Sequence, residues 1–278
     1  MVPSTGLGQA YNQQVRSPFG YRERQEGTAA AMPDRPTTYD RARSSRGRLL
    51  ARWGGGLILA LARYVVQRVP LYRRNRRHIE PATPPDLRRE LHGDPSTVQR
   101  IDDGRGALFH RRYSIAFTDA DLGPADLIAR ILSNPNEATP VEFAHFEPLK
   151  TSGGDRLVVG DELAVRLPGP WDGPVRVVEV TETSFRLATL RGHMEAGEIG
   201  FRADTNDRGW TVFEIESWAR SGDGMFYWLY ERFPLARELQ LHMWAHFCER
   251  VARIAGGIVM TSVEVHMCKP DTEKVLAG

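Results

Sequence analysis

Residues 235–256 read LARELQLHMWAHFCERVARIAG, and the rest of the chain is organised around this stretch. Pro234 stands just ahead of it, where a first helical residue loses nothing by lacking an N–H. Gly256 and Gly257 close it, supplying the left-handed conformation that helix C-caps favour. The span amounts to about six turns at 3.6 residues each. Ala236, Leu239, Met243, Phe247, Val251 and Ile254 recur at three- and four-residue spacing and share one face. Leu241, Trp244, Cys248, Ala252 and Ala255 widen that face, leaving Glu238, His242, His246, Glu249 and Arg253 as a narrow polar strip. So wide an apolar arc predicts a helix held on most of its sides. Gln240 falls inside the arc, and a buried amide has to find a partner.

Upstream of this helix, strand patterns come at regular intervals. Residues 107–117 alternate, with Phe109, Tyr113, Ile115 and Phe117 on one face. A helix follows Gly123 and Pro124, striped by Leu127, Ile128, Ile131 and Leu132. Residues 133–140 read as a turn and 141–149 as a strand. Leu163, Val165 and Leu167 alternate in the next strand, and 167–174 (LPGPWDGP) read as a rigid connection. Residues 175–181 and 184–193 read as a hairpin, 198–203 and 210–220 as further strands, and 225–230 as a short amphipathic piece. Residues 258–267 read as an edge strand or an ordered tail. Each strand has a single apolar face to bury, so the pattern predicts an α+β fold. In it, a curved antiparallel sheet of about seven strands grips the long C-terminal helix.

The net charge of +2 hides an asymmetry. Residues 1–100 carry eighteen Arg and eight acidic residues, while the remainder carries nineteen basic and twenty-seven acidic ones. Residues 1–48 are rich in Gly, Ser, Pro, Gln and Arg without periodicity and read as a disordered arm. Residues 49–80 read as a basic amphipathic helix, with eleven Arg and no acid between positions 41 and 77. Such a segment can dock on the folded domain or lie on an anionic membrane surface through residues 49–77. The aromatic interleaving of an RNA-binding arm is missing, so nucleic acid is not the expected partner. Residues 81–96 form a Pro-rich linker, 97–257 the folded domain, and 258–278 a tail. No run of eighteen clean apolar residues predicts a membrane span. Two cysteines make no disulfide framework and fit a cytoplasmic protein, one that could also sit peripherally on a membrane.

Four segments carry a resemblance: LPGPWDGPVRVVEV, SFRLATLRGHMEAGEIGF, FEIESWARSGD and LQLHMWAHFCERVARIAGG. Through them, residues 98–257 resemble the family called domain of unknown function nineteen-ninety, a group of uncharacterised proteins. Its most specific part here is Gly192, His193, Glu195, Gly197 and Glu198; Met194 stands where members often have Pro. The resemblance implies no catalytic residues. With the element order it suggests a START-like helix-grip architecture.

Several residues could carry chemistry. His193, Glu195 and Glu198 combine imidazole and carboxylates in what reads as a Gly-flanked turn, which suits ligand contact, general acid–base work or simple capping. Arg111 falls between Phe109 and Tyr113 on the predicted inner face of the first strand. Thr189 and Ser217 are inward by the same alternation, and Gln240 and Arg250 face them from the helix. A few polar groups in an apolar enclosure is what a ligand cavity needs. Trp171 and Trp218 sit near strand ends and suit a cavity mouth or rim packing. His242 and His246 lie one turn apart, but no Glu follows the first, so no zinc-protease pattern forms. No phosphate loop, Cys-rich metal pattern or nucleophile elbow is present. The expectation is therefore a domain without cofactor or metal that binds a small hydrophobic or lipid-like molecule between sheet and helix. The alternatives are an enzyme of the same fold and a structural or interaction protein with a filled core.

Overall fold

The computed structural model describes residues 94–140, 144–167, 172–222 and 234–270, the side chains of 234–239 excepted. The basic arm, the helix of residues 49–80, most of the linker, Trp171 and the amphipathic piece of residues 225–230 lie outside the described residues. The strands are β1 (Arg105–Thr118), β2 (His145–Lys150), β3 (Glu162–Arg166), β4 (Asp172–Val180), β5 (Ser184–Thr189), β6 (Glu195–Thr205), β7 (Thr211–Ser221), β8 (Ile258–Val259) and β9 (Glu264–Cys268). The helices are α1 (Pro124–Ser133), the single turn α2 (Pro135–Ala138) and α3 (Pro234–Ile254). The strands form one antiparallel sheet in the order β2-β3-β4-β5-β6-β7-β1-β8, with β9 also paired to β1.

The sheet is a meander from β2 to β7, closed at one side by the first strand. This follows from β1 being long and alternating: a strand of fourteen residues, it pairs with β7 along one edge and with β8 and β9 along the other. Its odd-numbered residues Phe109, Arg111, Tyr113, Ile115 and Phe117 share one face, as period-two geometry requires, and all are buried. α1 begins at Pro124 after Gly123, has Asp126 in its first turn and Arg130 in its last, and buries Leu127, Ile128, Ile131 and Leu132. Acid near a helix start and base near its end both complement the helix dipole.

The main core joins the inner sheet face to α3. Phe185 stacks on Phe201 with centroids 4.5 Å apart, and Phe201 meets Trp244 and Phe247 at 5.7 and 5.6 Å. Phe213 lies 6.1 Å from Phe247. Offset and edge-on aromatic pairs of this kind contribute about 0.5–1.5 kcal/mol each beyond their buried area. α3 ends where Gly256 and Gly257 donate to the carbonyls of Arg253 and Ala252, while the Ala255 carbonyl accepts from the backbone of Asp121 and Leu122.

The structure corrects four expectations. Nine strands are described in place of about seven: the stretch read as an edge strand or a tail is an edge, and it supplies two short strands, β8 and β9, to β1. Residues 135–138 make a helical turn, since Pro135 fixes its first residue and the Thr139 hydroxyl donates to the Pro135 carbonyl. Asp172, Gly173 and Pro174 belong to β4 and pair with β3. The β6 strand starts at Glu195, ahead of the expected start at Glu198, so Glu195 is a strand residue and not part of a turn.

Candidate functional site

At the end of the inner face away from the aromatic core, three elements bring polar groups together. Arg111 of β1 is 1% exposed, and its Nη1 donates to Glu195 Oε1 of β6 at 3.2 Å. Gln240 of α3 donates from Nε2 to the other carboxylate oxygen at 2.9 Å. The carboxylate is therefore shared between a buried cation from the sheet and an amide from the helix. Glu195 keeps 15% exposure and Gln240 is also partly exposed, so the cluster reaches solvent through these two and not through Arg111.

The register explains how Arg111 reaches a residue two strands away. Phe109 pairs with Ala219 and Arg111 with Ser217 on β7; Ala219 and Ser217 pair in turn with Gly197 and Ile199 on β6. Adjacent strands lie about 4.8 Å apart, so the guanidinium has to cross β7 to meet β6. The residues on its diagonal, Ala219 and Gly197, have almost no side chain to obstruct it. Gly197 cannot be anything else: its φ is +152°, and a Cβ there would stand 2.0 Å from the Trp218 carbonyl oxygen. Arg111 also lies over the Phe109 ring, 5.0 Å from its centroid. Phe109 forms a small apolar group with Ala107, Met194 and Met267, separate from the main core and only partly covered.

His193 supports this site from behind. Its Nδ1 accepts from the Glu195 N–H at 2.9 Å, and its ring packs on β4 so closely that a Cβ on Gly173 would stand 2.7 Å from Nε2. Burial pushes the imidazole below its ordinary value, with the nearby Glu195 charge opposing. A neutral ring is also what an accepting Nδ1 requires. Gln99 pins the same segment: its Nε2 donates to the His193 carbonyl at 3.1 Å and its Oε1 accepts from the Gly192 N–H at 3.1 Å. Sequence reasoning missed Gln99, which carries no motif and lies outside the regular elements.

The remaining predicted residues go elsewhere. Thr189 is buried, but its hydroxyl donates to the Gln99 carbonyl at 2.8 Å and accepts from the Gly197 N–H at 3.0 Å, and so ties backbone to backbone. Ser217 is buried beside Arg111 on the inner face. Glu198 points to the opposite face, three residues from Glu195, and lies 3.6 Å from Arg186. Trp218 is also on that outer face, stacked on His110 at 4.9 Å with planes 6° apart. Arg250 donates to the Glu137 carbonyl at 3.2 Å and holds α3 to the turn α2. His246 lies 3.5 Å from Glu249 on the polar strip. Thus His193, Glu195 and Glu198 do not converge on one point, and among the described residues no group of three His, Cys, Asp or Glu could hold a metal.

Two of the clefts lined by described residues stand out. One of about 240 Å³ lies between the end of α1 and the loops around Asp155 and Asp161; the other, about 280 Å³, lies between the end of α3 and residues 259–263. Neither includes Arg111, Glu195 or Gln240. Among the described residues, no helix is long and apolar enough to cross a membrane.

Residues 144–250 match the family model described as Domain of unknown function (DUF1990). The match begins after β1 and α1, so Arg111 lies outside it while Glu195 and Gln240 lie within. No curated protein matches the chain. Among solved structures, the chain is similar to a START superfamily protein from Mycobacterium smegmatis, at 13% identity and a TM-score of 0.38, covering 54% of this chain and 98% of that one. It is similar to norcoclaurine synthase from Thalictrum flavum in complex with dopamine and hydroxybenzaldehyde, at 13% identity and 0.36, covering 54% and 94%. It is also similar to the hypothetical protein jhp0584 from Helicobacter pylori, at 8% and 0.38, covering 52% and 86%. Likenesses this loose carry no functional argument.

Proposed function

We propose that this is a helix-grip domain that binds a small, mostly hydrophobic or lipid-like molecule at the Arg111–Glu195–Gln240 cluster, without chemical conversion. The observation that carries the reading is a charged pair set on the inner sheet face and joined by an amide from the helix arc. Burying such a pair gives little net stability, since desolvation offsets most of the attraction. Its net neutrality suits a ligand head that hydrogen-bonds without carrying full charge. Phe109, Met194 and Met267 offer an apolar wall beside it, and methionine adapts readily to ligand shape. The test is native mass spectrometry of the full chain purified from its own host, with denaturing analysis of lipids and metabolites in the same sample. A stoichiometric small passenger with an apolar body supports the reading.

A second reading, a structural or interaction protein, is favoured by the dense packing of Phe185, Phe201, Phe213, Trp244 and Phe247 between sheet and helix. A bare mass from the host, together with no uptake of fatty acids or sterols from an added panel, decides for it. The basic segment of residues 49–77 places the domain at an anionic membrane surface on the cytoplasmic side in this proposal. Sedimentation with phosphatidylserine liposomes, lost on deleting residues 1–80, tests that part separately.

A further inference from the structure

We propose that Cys268 is a nucleophilic thiol site on the outer face of the sheet, served by His110 as base and Glu216 as the group that orients it, and open to small disulfides and other soft electrophiles. The three side chains come from neighbouring strands. Cys268 of β9 pairs with His110 of β1, and His110 pairs with Trp218 of β7, two residues from Glu216 on the same face. Cys268 Sγ lies 3.5 Å from His110 Nδ1, and His110 Nε2 lies 2.8 Å from Glu216 Oε1. Thiol, imidazole and carboxylate therefore stand in the order required for a nucleophile, its base and the base's positioning residue. This site is on the opposite face from the Arg111 cluster and does not depend on the function proposed there.

The surroundings set the imidazole tautomer. Burial works to raise the Glu216 carboxyl, but hydrogen bonds from His110 and Arg112 outweigh it and hold the group below its ordinary range. An ionised Glu216 accepts only, so Nε2 carries a proton, and in the neutral ring the Nδ1 lone pair faces the sulfur. Trp218, stacked on the ring, stops it from turning away. Burial pushes the Cys268 thiol up, with Arg112 partly opposing, so the sulfur rests protonated and needs a base to attack. His110 is that base. Cys268 is partly exposed while Cys248, the other of the two cysteines, is fully buried.

With a disulfide the step balances without a further oxidant. The Cys268 proton passes to His110 Nδ1 as Sγ bonds to one sulfur of the reagent. The reagent's S–S bond breaks, and the leaving thiolate takes the proton from Nδ1. One thiol and one disulfide become a mixed disulfide and a new thiol.

The probe is 4,4′-dithiodipyridine added to the full chain at pH 7, with released thiopyridone followed by absorbance and the modified residue located by mass spectrometry. The expected result is one equivalent on Cys268, with Cys248 untouched, at a second-order rate at least about tenfold that of glutathione. His110→Gln is expected to remove at least about tenfold of that rate, and Glu216→Gln to slow it less. A wild-type rate at or below that of glutathione, which partial burial alone would give, overturns the proposal. So does a His110→Gln protein that reacts as fast as wild type. Modification of Cys248 marks an unfolded variant, in which case the wild-type comparison with glutathione decides alone.

Discussion

Replacing Glu195 with Ala removes a carboxylate from a guanidinium that has almost no access to water. Arg111 is 1% exposed, and its ion pair at 3.2 Å disappears together with the acceptor that Gln240 uses at 2.9 Å. Removing one partner of a buried pair costs about 3–5 kcal/mol. Glu195 itself is 15% exposed, so water can enter part of the vacated space, and the lower end applies, about 3 kcal/mol. In urea, with a slope of about 2 kcal/mol per M, the unfolding midpoint should fall by about 1.5 M. The double variant Arg111→Met with Glu195→Met removes both charges and keeps apolar volume. It should lie within about 1.5 kcal/mol of wild type; with Glu195→Met costing about 3 kcal/mol and Arg111→Met about 1 kcal/mol or more, the coupling energy is about 2.5 kcal/mol or more. A midpoint shift below about 0.25 M for Glu195→Ala, or a double variant equal to the sum of its singles, refutes the reasoning.

Further expectations follow from the same geometry. Gly197→Ala forces a Cβ to within 2.0 Å of the Trp218 carbonyl at a φ of +152°, and should cost on the order of 3 kcal/mol in urea unfolding or prevent folding. Phe201→Ala, at the centre of the aromatic group, should cost about 3–5 kcal/mol by the same assay. The His193 imidazole is held below its ordinary value by burial, so the unfolded chain takes up its proton first. Stability is then full above about pH 6.5 and falls as the pH drops below it. Urea midpoints from pH 8 to pH 5 should show that slope in wild type and a flatter one in His193→Gln.

Much of the candidate site was legible because β1 alternates cleanly. Phe109, Tyr113, Ile115 and Phe117 are apolar at every second position, which fixes the phase that turns Arg111 inward. Gln240 stood out for the opposite reason, as one amide within an apolar arc. The segment around Glu195 misled because two glycines near each other read as a turn. Gly197 in fact sits within a strand, where the Trp218 backbone passes too close for any Cβ. Thr189 was placed on the correct face, yet its hydroxyl serves the backbone of Gln99, a partner ninety residues away that no local pattern announces. Trp218 and His110 stack only because of the β1–β7 register, and register is a tertiary quantity. Arg250 lies at the arc's edge as its spacing indicates, but its partner is the carbonyl of Glu137, on a helical turn that the sequence disguises as a loop.

The central claim is that a small molecule sits where Arg111, Glu195 and Gln240 meet. Native mass spectrometry of wild type, Gln240→Ala and the surface variant Lys150→Ala, each purified from the native host, tests it most directly. One passenger of the same mass is expected on wild type and on Lys150→Ala, and its loss is expected from a folded Gln240→Ala protein. A passenger retained at equal occupancy by Gln240→Ala, or absent from all three, contradicts it.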